Sequence, residues 1–343
     1  MAIAGLWMLY QRQPCYNLNK MVFVNQMKGD GSLLHTIHIS AHGYEAEILP
    51  ERGANLVSLT RPALGLSSVR TPASIETFVN ENPYLWGTPL LFPPNRISGA
   101  QFVFEGRTYI LPMNEPAIGN FIHGIMHELP MACVEQTTDH AVFLFRATAE
   151  QPYMTFPHAF TLRMTFMLKE DGLHHCITVT NDSALNMPFA LGFHTTFALP
   201  FVKYGRVEDV SLQLGVGDEI VRNMDTFLPT GEIIADSPMR QSLLHGDLHP
   251  CEHTISRHFA MDSSHEMRLI DNVRRVQLIY RAQSPYAYWM VYNGGSKDLI
   301  CVEPQTWINN CPNSPFDREK TGFRFLAPNE SCTCETRLTL TSL

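Results

Sequence analysis

The chain has 343 residues, of which 45% are hydrophobic and 17% charged, and it carries a formal net charge of −8 at pH 7. This composition is typical of a globular protein with a sizeable core and excludes general disorder. Because the chain is acidic and lacks a dense run of Lys or Arg, nucleic acid and anionic membranes are disfavoured as partners. A neutral small-molecule ligand is compatible with this charge.

The first 33 residues show little periodicity. Residues 2–10 form an apolar run that is too short to span a bilayer and lacks the basic flank of a signal peptide. We predict that residues 1–33 are an N-terminal extension or irregular segment, with Met21 or Met27 as alternative natural starts, and that residues 34–343 form one domain. The eight cysteines are too scattered for a zinc ribbon and too few for a disulfide scaffold of this length, so we expect reduced thiols and a cytoplasmic protein.

Apolar residues recur with a period close to two from His35 onward, which predicts strands rather than helices. Asp171 followed by Gly172 is a strong hairpin-turn signal, and the absence of a fixed-period repeat disfavours propellers and solenoids. We therefore predict an all-β fold, one large antiparallel sandwich or barrel. The predicted strands cover residues 37–39, 44–48, 54–59, 101–104, 108–111, 132–138, 141–149, 160–168, 174–180, 275–280, 286–292, 299–302 and 336–342.

The stretch from residue 87 to residue 124 contains the first polar candidates. Pro93 and Pro94 remove two backbone donors, so we expect the sheet ladder to be interrupted there and Arg96 to lie on a rigid segment outside it. A guanidinium held in this way can fork two hydrogen bonds onto a polyol or a carboxylate. Two alternatives stay open: Arg96 pairs with a structural Asp or Glu, and His123 is satisfied by a backbone carbonyl.

Two later segments each offer a group for acid–base chemistry. His194 lies among apolar neighbours, which predicts either a half-buried imidazole that donates and recovers a proton or a histidine with one structural hydrogen bond. Glu303 follows an apolar strand pattern and precedes Pro304, so we expect its carboxylate at a strand end. Desolvation there would raise its pKa and suit it to act as a base; the alternative is a surface carboxylate beside a proline turn.

These segments, in this order, resemble the signature of the aldose 1-epimerase (galactose mutarotase) family. LGFHTTF around His194 is similar to the family's histidine segment, although Thr195 and Thr196 replace the usual Pro and Tyr, and CVEPQT around Glu303 is similar to its Glu-Pro segment. With the C-terminal FLAPNESCTCETRLTL, which resembles the closing strand pair, the resemblance covers roughly residues 35–343. In the first segment the matching residues are Pro89, Leu90, Phe92, Pro93, Asn95, Arg96, Ile97, Gly99, Phe102, Gly106, Tyr109, Leu111, Asn114, His123 and Gly124.

The resemblance implies one large antiparallel β-sandwich domain, a galactose mutarotase-like supersandwich, and an isomerase that interconverts the α and β anomers of an aldose. It implies Glu303 as the base that takes the proton of the C1 hydroxyl and His194 as the acid that protonates the ring oxygen. It implies Arg96 and His123 as substrate-binding residues, and it requires no metal, nucleotide or other cofactor. We expect a sugar as the partner and a monomer or homodimer as the assembly.

One departure concerns the aspartate with which this family usually binds sugar hydroxyls. The corresponding residues here are 255–259, where Ser256 occupies the place of the aspartate and Asp262 is the nearest substitute. This departure leaves the identity of the sugar open. Trp289 lies in a strand pattern and fits core packing better than a sugar-stacking role.

Three other functions stay open. A metal-dependent sandwich enzyme could use His123, His127 and Glu303 as ligands, but a four-residue spacing has no special ligand geometry on a strand or loop. A non-catalytic carbohydrate-binding protein or sugar sensor on the same fold would need neither an acid nor a base. A hexose-6-phosphate 1-epimerase would need Arg or Lys at the rim of the pocket, for which Arg96 and Arg257 are the candidates.

Overall fold

Two eight-stranded antiparallel sheets dominate the computed structural model of the chain, which describes residues 35–73, 77–78 and 81–343. The predicted extension, residues 1–33, and its alternative starts Met21 and Met27 lie outside the described residues. In chain order the strands are β1 (Ile37–Ala41), β2 (Tyr44–Leu49), β3 (Asn55–Arg61), β4 (Leu66–Ser67), β5 (Leu90–Leu91), β6 (Arg96–Ser98), β7 (Gln101–Phe104), β8 (Arg107–Ile110), β9 (Asn120–Ile122), β10 (Ala132–Gln136), β11 (His140–Ala147), β12 (Phe160–Lys169), β13 (Gly172–Asn181), β14 (Met187–Phe189), β15 (Gly192–Phe193), β16 (Thr196–Ala198), β17 (Val210–Leu214), β18 (Val216–Arg222), β19 (Pro229–Ile234), β20 (Ser256–Met261), β21 (Glu266–Asp271), β22 (Val276–Ala282), β23 (Tyr288–Tyr292), β24 (Leu299–Gln305), β25 (Arg324–Leu326) and β26 (Ser331–Ser342).

The first sheet has the strand order β10-β11-β12-β13-β26-β22-β21-β17. Its central hairpin, β12 and β13, pairs without a register shift from Phe160 opposite Asn181 to Lys169 opposite Gly172. Alternate residues of β12 are buried, as expected for a strand with one face on the core. The turn predicted at Asp171 is confirmed.

The second sheet has the strand order β19-β18-β20-β23-β24-β15-β5, with β16 also pairing with β24. The two sheets pack face to face, since the rings of His175 on β13 and Phe193 on β15 lie 4.8 Å apart. The rings of Tyr280 on β22 and Trp289 on β23 lie 6.1 Å apart. Trp289 is fully buried, which confirms its predicted place in the core. The predicted all-β sandwich is therefore confirmed.

Shorter elements complete the described part of the chain. One sheet has the order β1-β2-β3-β4, and three two-stranded ladders pair β6 with β9, β7 with β8 and β14 with β25. Helix α1 (Pro238–His245) begins after Ser237, whose hydroxyl accepts a hydrogen bond from the backbone of Arg240. None of the described helices is long and apolar enough to cross a membrane. The 3-10 helices are Pro50–Arg52, Pro62–Leu64, Pro83–Leu85, Met126–Glu128, Val207–Asp209, Pro250–Glu252, Cys311–Asn313 and Arg318–Lys320.

The prediction that Arg96 lies outside any ladder is wrong. Pro93 and Pro94 do interrupt the strand, but Arg96 begins β6 and pairs with Ile122 of β9. The chain turns back into a β-ladder at Asn95, which has a φ of 61°. The side-chain oxygen of Asn95 accepts a hydrogen bond from the backbone N–H of Arg96 at 3.1 Å. Asparagine tolerates this left-handed conformation better than most residues.

The prediction that Glu303 stands at a strand end is also wrong. Strand β24 continues to Gln305, and Pro304 lies opposite Trp289 of β23. The N–H of Val302 donates to the backbone of Thr195, on the side of β24 that faces β15 and β16. Position 304 is two residues further along the strand, so an N–H there would point to the same side, into the gap between β15 and β16. No ladder hydrogen bond is lost there, so the strand tolerates the proline.

Candidate active site

One face of the second sheet carries a row of three side chains across three strands, and the two outer ones are ionisable. Glu303, Met290 and His258 are cross-strand partners on β24, β23 and β20, so their side chains point to the same side of the sheet. Gln305 lies two residues beyond Glu303 and shares this face. Its amide donates a hydrogen bond to Oε2 of Glu303 at 3.1 Å, and Asn95 donates to Oε1 of Gln305 at 3.2 Å. The amide of Gln305 thus orients the carboxyl directly, and the amide of Asn95 in turn orients Gln305.

His194 lies in the gap between β15 and β16, beside Glu303. Its backbone N–H donates to Pro89 at 3.0 Å, and its Nε2 lies 3.3 Å from Oε1 of Glu303. His194 is 7% exposed and Glu303 is 2% exposed, so His194 is more deeply buried than the half-buried position predicted for it. The two groups that the sequence nominated as acid and base therefore meet in one buried contact.

Burial acts on this pair in opposite directions. It raises the pKa of Glu303 to about 8, against the hydrogen bond from Gln305 and the positive charges of Arg222 and Arg96. Burial lowers the pKa of His194 to about 4. Between these values the pair holds one proton, carried by the carboxyl, and no net charge.

His123 lies directly after β9 and reaches the same site. Its Nδ1 accepts a hydrogen bond from the backbone of Asn95 at 3.2 Å, so the neutral ring carries its proton on Nε2. Its ring lies 5.5 Å from the ring of His194, and burial followed by the charge of His194 lowers its pKa well below the usual value. His123 has a φ of 66°, and a Cβ on Gly124 would lie 2.1 Å from the carbonyl oxygen of Phe92, so the glycine is required there.

Arg96 lies near the site, but its guanidinium fork is directed elsewhere. Nε and Nη2 donate to the two carboxylate oxygens of Glu115 at 2.7 and 2.8 Å. The guanidinium also lies 4.6 Å from the ring centre of Phe227. The alternative in which Arg96 pairs with a structural Glu is therefore the one the structure shows, although its charge still acts on Glu303.

A family comparison gives this site a context. The model of the aldose 1-epimerase family matches residues 35–339. The chain belongs to the aldose 1-epimerase family. Among solved structures, a galactose mutarotase-like protein from Clostridium acetobutylicum is 29% identical, with a TM-score of 0.83 over 90% of this chain and 95% of that chain.

More distant relatives share the fold or a part of the sequence. A galactose 1-epimerase from Lactobacillus acidophilus NCFM is 18% identical and matches 93% of this chain and 98% of its own with a TM-score of 0.70, which is a likeness of fold alone. The uncharacterized protein YphB of Escherichia coli K12 is 29% identical over 111 residues. That match spans only 36% of the length of YphB and 32% of this chain.

The position at which the sequence resemblance led us to expect an aspartate is occupied by Ser256. Ser256 begins β20, and its backbone oxygen and hydroxyl accept hydrogen bonds from Nη2 of Arg222 at 2.7 and 2.9 Å. Asp262, the substitute considered from the sequence, accepts hydrogen bonds from the backbone and hydroxyl of Ser264 instead. Arg257, the second candidate for phosphate binding, pairs with Glu219 at 2.8 Å.

Several residues of the site were missed from the sequence. The ring of Tyr84 lies 4.9 Å from His123, 4.5 Å from His127 and 5.7 Å from His194. Tyr84 belongs to a short 3-10 helix, and no pattern in the sequence marked it. Gln305 could have been found, because a residue two positions after Glu303 on a strand must share its face.

The arrangement of His123, His127 and Glu303 does not support the metal site considered from the sequence. Among the described residues, no three or more His, Cys, Asp or Glu side chains are grouped so that they could hold a metal ion. The cysteines from Cys133 to Cys334 are free thiols in the part of the chain that the structure describes.

Proposed function

We propose that the protein is an aldose 1-epimerase that interconverts α and β anomers by acid–base catalysis at Glu303 and His194. The observation that supports this most directly is the 3.3 Å contact between a buried imidazole and a buried carboxyl. A binding protein needs neither group. The 29% identical galactose mutarotase-like protein from Clostridium acetobutylicum is consistent with the same chemistry.

The proposed reaction opens and closes the sugar ring. Glu303 as carboxylate takes the proton of the C1 hydroxyl, the C1–O5 bond breaks, and protonated His194 gives its proton to O5. Rotation about C1–C2 and the same steps in reverse produce the other anomer. The short contact lets the proton pass between the two residues, so the reactive charged pair forms from the neutral pair without exchange with solvent.

His123 and Arg96 have supporting roles in this proposal. His123 presents its Nε2 donor to the sugar, and Arg96 contributes through its charge and through its pairing with Glu115. The reaction as written uses no metal or cofactor. A cytoplasmic location, with the free thiols of the described cysteines as support, and a monomer or homodimer stay predictions.

The proposal is tested by anomer exchange, followed by polarimetry or NMR on a panel of aldoses. Glu303→Gln and His194→Asn should each lower the rate by about 10²- to 10⁴-fold, because each removes one proton transfer. The rate of the unchanged protein should be highest between about pH 4 and about pH 8, where the pair holds a single proton. Glu335→Gln and His38→Asn, at exposed positions, are the matched controls.

Two results would contradict this proposal. Tight sugar binding with no acceleration of anomer exchange for any aldose of the panel would indicate a sugar sensor. Full activity in Glu303→Gln would remove the acid–base mechanism altogether.

A further inference from the structure

Arg222, at the end of β18, is a buried cation that no carboxylate of the described residues contacts directly, although the charges of Glu303 and Glu219 act on it from farther away. It is 8% exposed, and no carboxylate of the described residues forms an ion pair with it. The nearby Glu219 is engaged by Arg257 at 2.8 Å. A guanidinium removed from water normally has a counter-charge, because burying an unpaired charge is costly.

The hydrogen bonds of Arg222 are also incomplete. Its Nη2 gives two hydrogen bonds to Ser256, which leaves three of the five guanidinium N–H groups, those on Nε and Nη1. Nε and Nη1 have no acceptor among the described residues, and neither is among the fully enclosed side-chain atoms, so both are open to a ligand that approaches this face. His258, which shares the face of Ser256 and feels the charge of Arg222, is fully buried, and neither of its ring nitrogens has a partner in the described residues.

The sheet places Arg222 at a suitable distance from the reacting groups. Its guanidinium is held over Ser256 of β20, which lies opposite Tyr292 of β23, and β23 in turn pairs with β24, which carries Glu303. Two strand spacings correspond to about 10 Å between backbones, and the ring of Tyr292 lies 6.3 Å from that of His194. A pyranose with C1 at Glu303 and His194 would direct its far end toward Arg222.

We infer that Arg222 selects an aldose that carries an oxyanion, a carboxylate or a phosphate, at the end of the sugar opposite C1. The anion supplies both the missing counter-charge and the missing acceptors, and charge-assisted hydrogen bonds of this kind are the strong ones. This inference rests on the proposed function of the site. It also explains why a serine suffices at position 256, because the hydroxyl there holds the cation rather than the sugar.

A second role for Arg222 has to be separated from this one. Its positive charge also lowers the pKa of Glu303, so removing it would affect the base for every substrate. An effect through Glu303 changes the rates for acidic and neutral sugars by the same factor. An effect through a bound anion changes the rate for the acidic sugar alone, and therefore changes the ratio of the two rates.

The test compares kcat/KM for anomer exchange of glucose, glucuronate and glucose 6-phosphate, and of the corresponding galactose series. The unchanged protein should prefer one acidic sugar by about 10- to 100-fold over its neutral counterpart, and Arg222→Gln should abolish that preference. Arg222→Lys should keep part of it, since the charge remains but the planar fork is lost. Arg163→Gln, which removes the same charge from an exposed position on β12, should leave the ratio unchanged.

The two acidic sugars distinguish a carboxylate from a phosphate as the group that Arg222 binds, and a preference for either one supports the inference. A preference for the neutral sugar, or an equal loss on all sugars in Arg222→Gln, overturns it while anomer exchange of neutral sugars still supports the proposed function.

A binding measurement covers the opposite case, in which no sugar is turned over. Calorimetry on Glu303→Gln should show tighter binding of the acidic sugar, lost when Arg222→Gln is added. That result, together with the absence of turnover in the protein that keeps Glu303, would retain the role of Arg222 and reject the enzyme, and equal or absent binding would reject both.

Discussion

The two large sheets use the same antiparallel pairing but differ in its regularity. In the first sheet β12 and β13 pair without a shift, whereas β18 of the second sheet changes register against both β19 and β20. Such irregularities re-aim side chains, and they are common beside functional sites. Here they occur in the strand that places Arg222 against Ser256.

The same contrast extends to what the sheets bury. The inward positions of β12 are apolar, whereas β24 and β18 bury Glu303, Glu219 and Arg222. Burying apolar surface stabilises the fold, while burying ionisable groups opposes it. The comparison suggests a division of labour in which the first sheet supplies stability and the second sheet carries chemistry.

The largest expected effect is on the stability of the first sheet. Leu162 on β12 is fully buried, so Leu162→Ala should lower the free energy of unfolding by about 2–5 kcal/mol through lost burial and a cavity. Denaturant unfolding measures this, and anomer exchange per folded molecule should not change. The neighbouring Arg163→Ala, at a side chain that is 50% exposed, is the control and should shift stability by no more than about 0.5 kcal/mol. A loss of rate per folded molecule in Leu162→Ala would show that the two sheets are not separable in this way.

The same difference explains how far the sequence could predict the fold. Strands β12 and β13 alternate apolar and polar residues and are joined by a recognisable Asp-Gly turn, so periodicity found them. Strands β17 to β21, within residues 210–271, were not predicted. In β18 the buried positions include Glu219 and Arg222, so the strand has no clean apolar alternation to detect.

The candidate site was predictable only in part, for a related reason. His194 and Glu303 were found because their residue types and neighbouring motifs carry the chemistry, and the fold brings them within 3.3 Å. The bond between Arg96 and Glu115 was an open alternative whose partner no spacing identified. Arg222 enters the site through a hydrogen bond to a strand distant in sequence, and no local pattern encodes such a contact.

The second prediction concerns the stability of the second sheet. Burial raises the pKa of Glu303 from 4.5 to about 8, so between these pH values the folded protein keeps a proton that the unfolded chain releases. This contribution to stability is complete below pH 4.5 and is lost as the pH rises toward 8. Glu303→Gln never ionises, so its stability relative to the unchanged protein should increase across this window by up to about 1.4 kcal/mol per pH unit.

Unfolding of both proteins at pH 5 and at pH 8 measures this gain, and Glu335→Gln, exposed on β26, is the control that should show no such trend. A constant difference between Glu303→Gln and the unchanged protein would mean that the carboxyl ionises in the folded state at its usual pKa.

The smallest effect near neutral pH is expected at His175 of the first sheet, and it has the opposite sign with pH. The ring of His175 lies 4.1 Å from that of Phe166, and burial lowers its pKa from 6.5 to about 3. Between these pH values the unfolded chain binds a proton at His175 that the folded protein does not bind. The free energy of unfolding therefore falls as the pH drops below 6.5. His175→Leu, similar in volume, should differ little at pH 7 and become progressively more stable than the unchanged protein toward pH 4, measured by thermal unfolding. His174→Leu, at the partly exposed neighbouring position, is the matched control. If the advantage of His175→Leu were independent of pH, the imidazole would bind its proton as readily in the folded protein as in the unfolded chain, and burial in the first sheet would not disfavour a charge at this position.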